Sequence, residues 1–175
     1  AVKYMTPVMV LSDGYLVNGS EPWLIPDPNK LEEFKVEFAQ ENKDEQFLPY
    51  KRDEETLARS WAIPGTKGLE HRIGGLEKQD VTGNVNYDSD NHQKMVQIRA
   101  QKIANIASEL PETKVFGEKS GDVLILSWGS SHGACRAATE SLLSENLKVG
   151  HVSINWISPL PKDLGEILNN YKKVL

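Results

Sequence analysis

The rhythm of apolar and polar residues changes twice along this chain. Near the start an apolar run, Val8-Met9-Val10-Leu11, closes at Ser12 and meets Asp13-Gly14. It predicts a strand from Val8 to Ser12 followed by a turn. From residue 18 to 120 the pattern is irregular, broken by Pro22, Pro26, Pro28, Pro49 and Pro64. Two helical stretches interrupt it. Leu31, Phe34 and Phe38 share one face of a predicted helix from about Asn29 to Asn42. Val96, Ala100, Ile103, Ala107 and Leu110 recur at steps of four and three, which predicts a longer helix over about Ser89 to Leu110. Asp88 or Ser89 can accept from its unpaired first-turn N–H groups, and Pro111 stops it.

Residues 121–175 carry the most regular pattern. Asp122 to Trp128 (DVLILSW) reads as a buried strand, followed by Gly129-Ser130-Ser131-His132-Gly133 and a helix from about Ala134 to Asn146. Ala134, Ala137 and Ala138 let that helix lie close to a sheet. Lys148 to Asn155 (KVGHVSIN) predicts a second strand. Leu164, Ile167, Leu168 and Tyr171 mark a second helix at i, i+3, i+4 and i+7, and Val174-Leu175 reads as a strand beginning. Strand, helix, strand, helix and strand make a βαβαβ unit, hence an α/β fold with a three-layer parallel sheet. A parallel strand needs neighbours and helices over both faces. The expectation is therefore a part of a larger polypeptide, with this sheet domain truncated.

Composition narrows the function classes. The 175 residues carry a formal net charge of -5 and a pI near 5.4, with no basic patch of the kind that binds nucleic acid. Mixed runs such as Lys51-Arg52-Asp53-Glu54-Glu55 read as a solvated face. No apolar run approaches the roughly 20 residues of a membrane span, and no signal peptide is visible. Cys135 is the single cysteine, which excludes a disulfide framework and points to a reducing, cytoplasmic setting. One thiolate also cannot supply the roughly four that an iron–sulfur cluster takes.

Candidate chemistry concentrates at the first strand-to-helix turn. Gly129-Ser130-Ser131-His132-Gly133 satisfies G-x-S-x-G between a strand and a helix, the setting of a nucleophile elbow. Ser131 would then be the nucleophile of a serine hydrolase or acyltransferase. Such an enzyme needs a later acid and histidine, and only His151 follows, inside a strand. The same turn offers free N–H groups at a helix start, a generic anion site on Gly129, Ser130, Ser131 and Gly133. It is neither a dinucleotide fingerprint nor a Walker loop. His71 and His92 lie far apart and lack metal-ligand spacing. Cys135, one turn into a helix, reads as a small packing residue.

Several separate stretches resemble one family. They are TPVMVLSDGYLVNGSEPW (Thr6 to Trp23), SWAIPGTKGLEHRIGGLEK (Ser60 to Lys78), GNVNYDSDNHQKMVQIRAQKI (Gly83 to Ile103), GDVLILSWGSSHGACRAA (Gly121 to Ala138) and ISPLPKDLGEIL (Ile157 to Leu168). In this order they are similar to the C-terminal portion of the alpha subunit of 2-oxoacid:ferredoxin oxidoreductases, with a likeness to the 2-oxoglutarate type (2-oxoglutarate synthase). The resemblance covers essentially the whole chain. It implies that residues 1–17 end a thiamine-pyrimidine-binding domain and that 18–120 form a linking region. Residues 121–175 would then open a domain like the C-terminal domain of transketolase.

The resemblance also implies an activity: oxidative decarboxylation of 2-oxoglutarate to succinyl-CoA, or the reverse. The cofactors implied are thiamine diphosphate, Mg, an iron–sulfur cluster and CoA, and the partners are a beta subunit and ferredoxin. It assigns no catalytic residue to this chain. Ser12-Asp13-Gly14 is only a fragment of the diphosphate motif and stands elsewhere, so the expectation is a scaffold and assembly part that binds none of these cofactors alone. Glu70-His71-Arg72-Ile73-Gly74-Gly75 is charged and glycine-rich, so His71 and Arg72 become candidates for a partner contact. A non-catalytic adaptor domain is the remaining alternative reading.

Overall fold

A computed structural model describes residues 1–41 and 45–175. The chain divides into two compact units, one of residues 1–9 and 24–106, the other of residues 10–23 and 107–175.

The second unit holds a four-stranded sheet in the order β1-β3-β2-β4. Its strands are β1 (Phe116–Gly117), β2 (Gly121–Trp128), β3 (Val149–Ile154) and β4 (Tyr171–Val174). β2 pairs in parallel with β3 and β4, while β1 runs antiparallel to β3. The sheet is thus mixed rather than parallel throughout, and it recruits Phe116 ahead of the expected start at Gly121. Alternation sorts its two faces. Leu124 and Val152 point to one side and pack with Leu164 and Tyr171, ringed by Val115, Leu126, Ile154, Ile167 and Leu168. Each such fully buried aliphatic side chain contributes about 1.5–3 kcal/mol. Leu164 belongs to the short helix α4 (Leu164–Asn169). The opposite face carries Ser127 and His151 beneath the helix α3 (His132–Ser144). Helix, sheet and helix form the three layers.

Gly150 shows why no side chain is tolerated at mid-strand in β3: a Cβ there would land on the Tyr171 hydroxyl and the Glu118 carbonyl. Those two atoms are themselves hydrogen-bonded, Tyr171 donating. Tyr171 was expected at the end of a helix; it opens β4 instead. Its ring is drawn into the core and its hydroxyl needs a buried acceptor, so α4 stops at Asn169. The helix expected from Ala134 begins two residues earlier and ends at Ser144.

The predicted strand from Val8 to Ser12 does not form. Val8, Met9, Val10 and Leu11 are all exposed, and among the described residues no ladder partner lies beside them, which a strand requires. Asp13 instead caps a single turn, α1 (Gly14–Val17), its Oδ1 accepting from the Tyr15 amide at 2.7 Å.

In the first unit, α2 (Ser89–Ile106) fulfils the apolar periodicity but ends four residues before Leu110. Asp88 is its cap, with Oδ1 accepting from the amides of Asp90 and Asn91, both at 3.0 Å. Only Met95 of this helix is fully buried. The helix expected over Asn29 to Asn42 is replaced by a 3-10 turn, Pro28–Lys30, and then chain without regular structure up to the bridge at Phe38; Asn42 lies outside the described residues. Leu31 and Phe34 are exposed, and an apolar stripe with nothing to pack against does not sustain a short helix in water. Isolated bridges join Phe38 to Trp61, Tyr50 to Val81, Arg52 to Arg59 and Lys78 to Val85.

Candidate functional site

The junction between β2 and α3 is built by one backbone choice. Gly129 takes φ +65°, the left-handed region that suits glycine, and so turns the chain out of the strand. A 3-10 turn, Gly129–Ser131, then leads directly into α3. Ser130 Oγ donates to Asp13 Oδ2 at 2.8 Å. That bond, with the Tyr15 amide next in importance, holds the Asp13 carboxyl below its usual pKa. Ser131 Oγ donates to the Trp128 carbonyl at 2.9 Å. Gly133 has open space around it.

The histidine that an elbow serine would use is committed elsewhere. His151 Nε2 is hydrogen-bonded to Ser127 Oγ at 2.8 Å, and both residues are buried. The register explains the pairing: Ile125 stands opposite His151 and Ser127 opposite Ser153, with all four odd-numbered side chains on the α3 face. The His132 ring tilts against His151 with centroids 5.4 Å apart. Burial, followed by the charges of His132 and Arg136, pushes the His151 pKa below its ordinary value. Arg136 in turn covers the Phe116 ring at 3.4 Å and pairs with Glu140 at 2.9 Å. Cys135 is partly buried, its carbonyl accepting from the Thr139 hydroxyl at 2.8 Å. The junction is therefore a hydrogen-bonded turn above a buried polar pair, and Ser131 is not poised against a base.

The second candidate stretch lies in the other unit. His71 Nδ1 donates to the Leu69 carbonyl at 2.7 Å, and its ring meets the edge of Phe47 at 5.3 Å. Arg72 is exposed. Gly74 and Gly75 bend the chain without positive φ. The bend is held instead by Lys78, whose buried ammonium donates to the carbonyls of Gly74 and Leu76. Beside it, Glu77 accepts from His92 at 2.7 Å and from Arg99 at 3.4 Å. The His92 hydrogen bond is the main reason its carboxyl stays below the ordinary pKa. The sequence offered no sign of Lys78, because a lysine flanked by Glu77 and Gln79 reads as surface.

Comparison with known proteins supplies what the geometry alone leaves open. No family model matches the chain. It is 47% identical over 177 aligned residues to the 2-oxoglutarate oxidoreductase subunit KorA of Mycobacterium tuberculosis, covering all of this chain and 26% of that protein. It is also 32% identical to the 2-oxoacid:ferredoxin oxidoreductase subunit alpha of Saccharolobus solfataricus, again over its whole length and 28% of that protein. The chain is homologous to a segment of 2-oxoacid:ferredoxin oxidoreductase alpha subunits.

The fold agrees. A 2-oxoglutarate:ferredoxin oxidoreductase from Magnetococcus marinus, solved with 2-oxoglutarate, coenzyme A and succinyl-CoA bound, superposes with a TM-score of 0.72 at 28% identity. The match covers 85% of this chain and 26% of that one. The chain thus spans about a quarter of the length of these relatives. Among the described residues no helix is long and apolar enough to cross a membrane.

Proposed function

We propose that this chain serves as a scaffold and assembly part of the alpha subunit of a thiamine-diphosphate-dependent 2-oxoacid:ferredoxin oxidoreductase. The substrate we favour is 2-oxoglutarate, converted to succinyl-CoA or formed in the reverse direction. Whole-length identity of 47% to a 2-oxoglutarate oxidoreductase subunit carries the reading. In this reading residues 1–17 close a thiamine-pyrimidine-binding domain, 18–120 link, and 121–175 open a transketolase C-terminal-like domain.

The residues present do not fit an iron–sulfur cluster or a metal ion. Cys135 is the single cysteine against the roughly four of a cluster. Among the described residues no three His, Cys, Asp or Glu side chains converge on a metal position. In this reading thiamine diphosphate, Mg and the iron–sulfur cluster belong to other parts of the complex, and this chain supplies no catalytic residue. Its contribution is shape and contact. Exposed apolar side chains at Trp23, Leu24, Ile25 and Phe34 suit burial against a beta subunit or the remainder of the alpha subunit, and ferredoxin is the electron partner of the assembled complex. His71, Arg72 and the Gly129 to Gly133 turn are the contact candidates.

The test is reconstitution of the alpha subunit bearing this segment with its beta subunit. The complex should reduce ferredoxin with 2-oxoglutarate and CoA, and Trp23→Asp with Leu24→Asp should abolish co-purification of the subunits. Intact assembly and turnover in that double variant would defeat the assembly role. Turnover confined to another 2-oxoacid would defeat the substrate assignment. The 175-residue chain by itself should give no more calorimetric signal with thiamine diphosphate than with inorganic diphosphate at the same concentration.

A further inference from the structure

Arg52 and Arg59 stand opposite one another as an antiparallel bridge across the loop that turns between Asp53 and Ala58. Side chains of bridge partners rise on the same side, where like charges repel. Here the two guanidinium groups also gather at one ring: the Arg59 carbon lies 4.4 Å from the Tyr50 centroid and the Arg52 carbon 5.8 Å. Lys102 of α2 adds a third cation, its ammonium donating to the Met5 carbonyl at 3.1 Å. Burial first, and then the charge of Arg59, lower the pKa of Arg52, and burial followed by the charges of Arg52 and Arg59 lowers that of Lys102.

Two nearby carboxylates have partners of their own, although the charge of Asp80 still favours the Arg52 cation. Asp80 pairs with Lys94 at 2.7 Å. Asp53 accepts from the Thr56 amide and hydroxyl, both at 2.7 Å, and from the Glu55 amide at 3.1 Å. Arg52 donates one N–H to the Leu57 carbonyl at 3.0 Å, yet its Nε is buried and has no acceptor among the described residues. Native structures rarely leave such a donor unmet. Arg52 and Arg59 line a cleft of about 770 Å³ that also carries Glu37, Glu45 and Glu55 on its walls. Repelling cations, a spare buried donor and an adjoining cleft together describe a seat for an anion.

We propose that Arg52, Arg59 and Lys102 form a binding site for an oxyanion, a phosphate or carboxylate group that accepts from Arg52 Nε and offsets the repulsion. Guanidinium forks match the oxygen spacing of both groups, which a point-charge ammonium does less well. The site stands on these residues alone and does not depend on the oxidoreductase reading.

Calorimetric titration of the 175-residue chain with inorganic phosphate, and separately with acetate, reads the site when chloride of equal ionic strength is the reference. The expected result is saturable heat with at least one anion and a Kd weakened about tenfold or more in Arg52→Gln and Arg59→Gln, since each removes a charge-assisted hydrogen bond. A tenfold excess over Kd should also raise Tm by about 3–6 °C. Tighter binding of phosphate assigns a phosphate-bearing ligand; tighter binding of acetate assigns a carboxylate-bearing one. Circular dichroism identifies any glutamine variant that fails to fold, and for it Arg59→Lys, which keeps the charge and loses the fork, supplies the comparison. Absence of saturable heat with both anions, or equal heat in folded glutamine variants, would overturn the proposal.

Discussion

Acidification offers a direct probe of the buried polar pair under α3. His151 is held below the ordinary histidine pKa of 6.5 by burial, with His132 and Arg136 adding repulsion. The groups that face it are Ser127 from β2 and His132 and Arg136 from α3. No carboxylate among the described residues is bonded to its ring. A depressed folded-state pKa means that the unfolded chain takes up the proton first as pH falls. The native state is then at full strength above about pH 6.5 and weakens below it, until the depressed native value is reached. One proton taken up by the unfolded state alone sets a limiting slope of about 1.4 kcal/mol per pH unit. Urea unfolding measured from about pH 7.5 down to about pH 5.5 should therefore show a steady loss of stability that His151→Gln largely abolishes. The carboxyls of Asp13, Glu77, Asp122 and Asp163 are held low as well. Their contributions are present above the ordinary carboxylate range and are lost only at more acid pH, outside this window. If the His151→Gln curve runs parallel to the wild-type curve, the reasoning about His151 is wrong.

Three further outcomes are expected. Gly150→Ala, which drives a Cβ into the Tyr171 hydroxyl and the Glu118 carbonyl, should cost about 1–3 kcal/mol by denaturant unfolding; Tyr171→Phe in the same background should recover part of that. Leu124→Ala removes a fully buried side chain at the centre of the core and should cost about 2–5 kcal/mol, with a Tm drop seen by calorimetry. Thr113 donates both its amide and its hydroxyl to Asp163, each at 2.7 Å. Thr113→Ala should cost about 1 kcal/mol at neutral pH and bring the Asp163 carboxyl, titrated by NMR, back up toward its ordinary pKa.

The second unit was legible in the sequence because its signals are local. DVLILSW and KVGHVSIN are rich in branched apolar residues, and the two strands they form fall within a residue or so of the expected limits. Tyr171 misled because a residue at i+7 of a helical stripe can equally open the next strand, and here a buried acceptor decided the matter. The apolar segments Val8 to Ser12 and Asn29 to Asn42 misled for the opposite reason. Their periodicity describes what they could become against a partner surface, and in this chain their side chains are exposed. The site residues divide the same way. The Gly129 to Gly133 turn follows from one glycine and was visible. The Ser127–His151 pair spans 24 residues and depends on strand register, and the Arg52–Arg59 pair depends on a bridge across a loop. Neither arrangement has a pattern in a linear reading.

Lys78 has a further consequence for how the first unit moves. Its ammonium holds Gly74 and Leu76, its carbonyl accepts from the Asn91 side chain at 3.0 Å, and Asn91 Oδ1 takes the Asp80 amide, also at 3.0 Å. Glu77 and Asp80 then reach His92, Arg99 and Lys94 further along α2. The bend is thereby splinted to a helix of 18 residues. Amides on both should open together in hydrogen exchange as one cooperative block. Whatever presses on the glycine pair is consequently felt along the rod behind it.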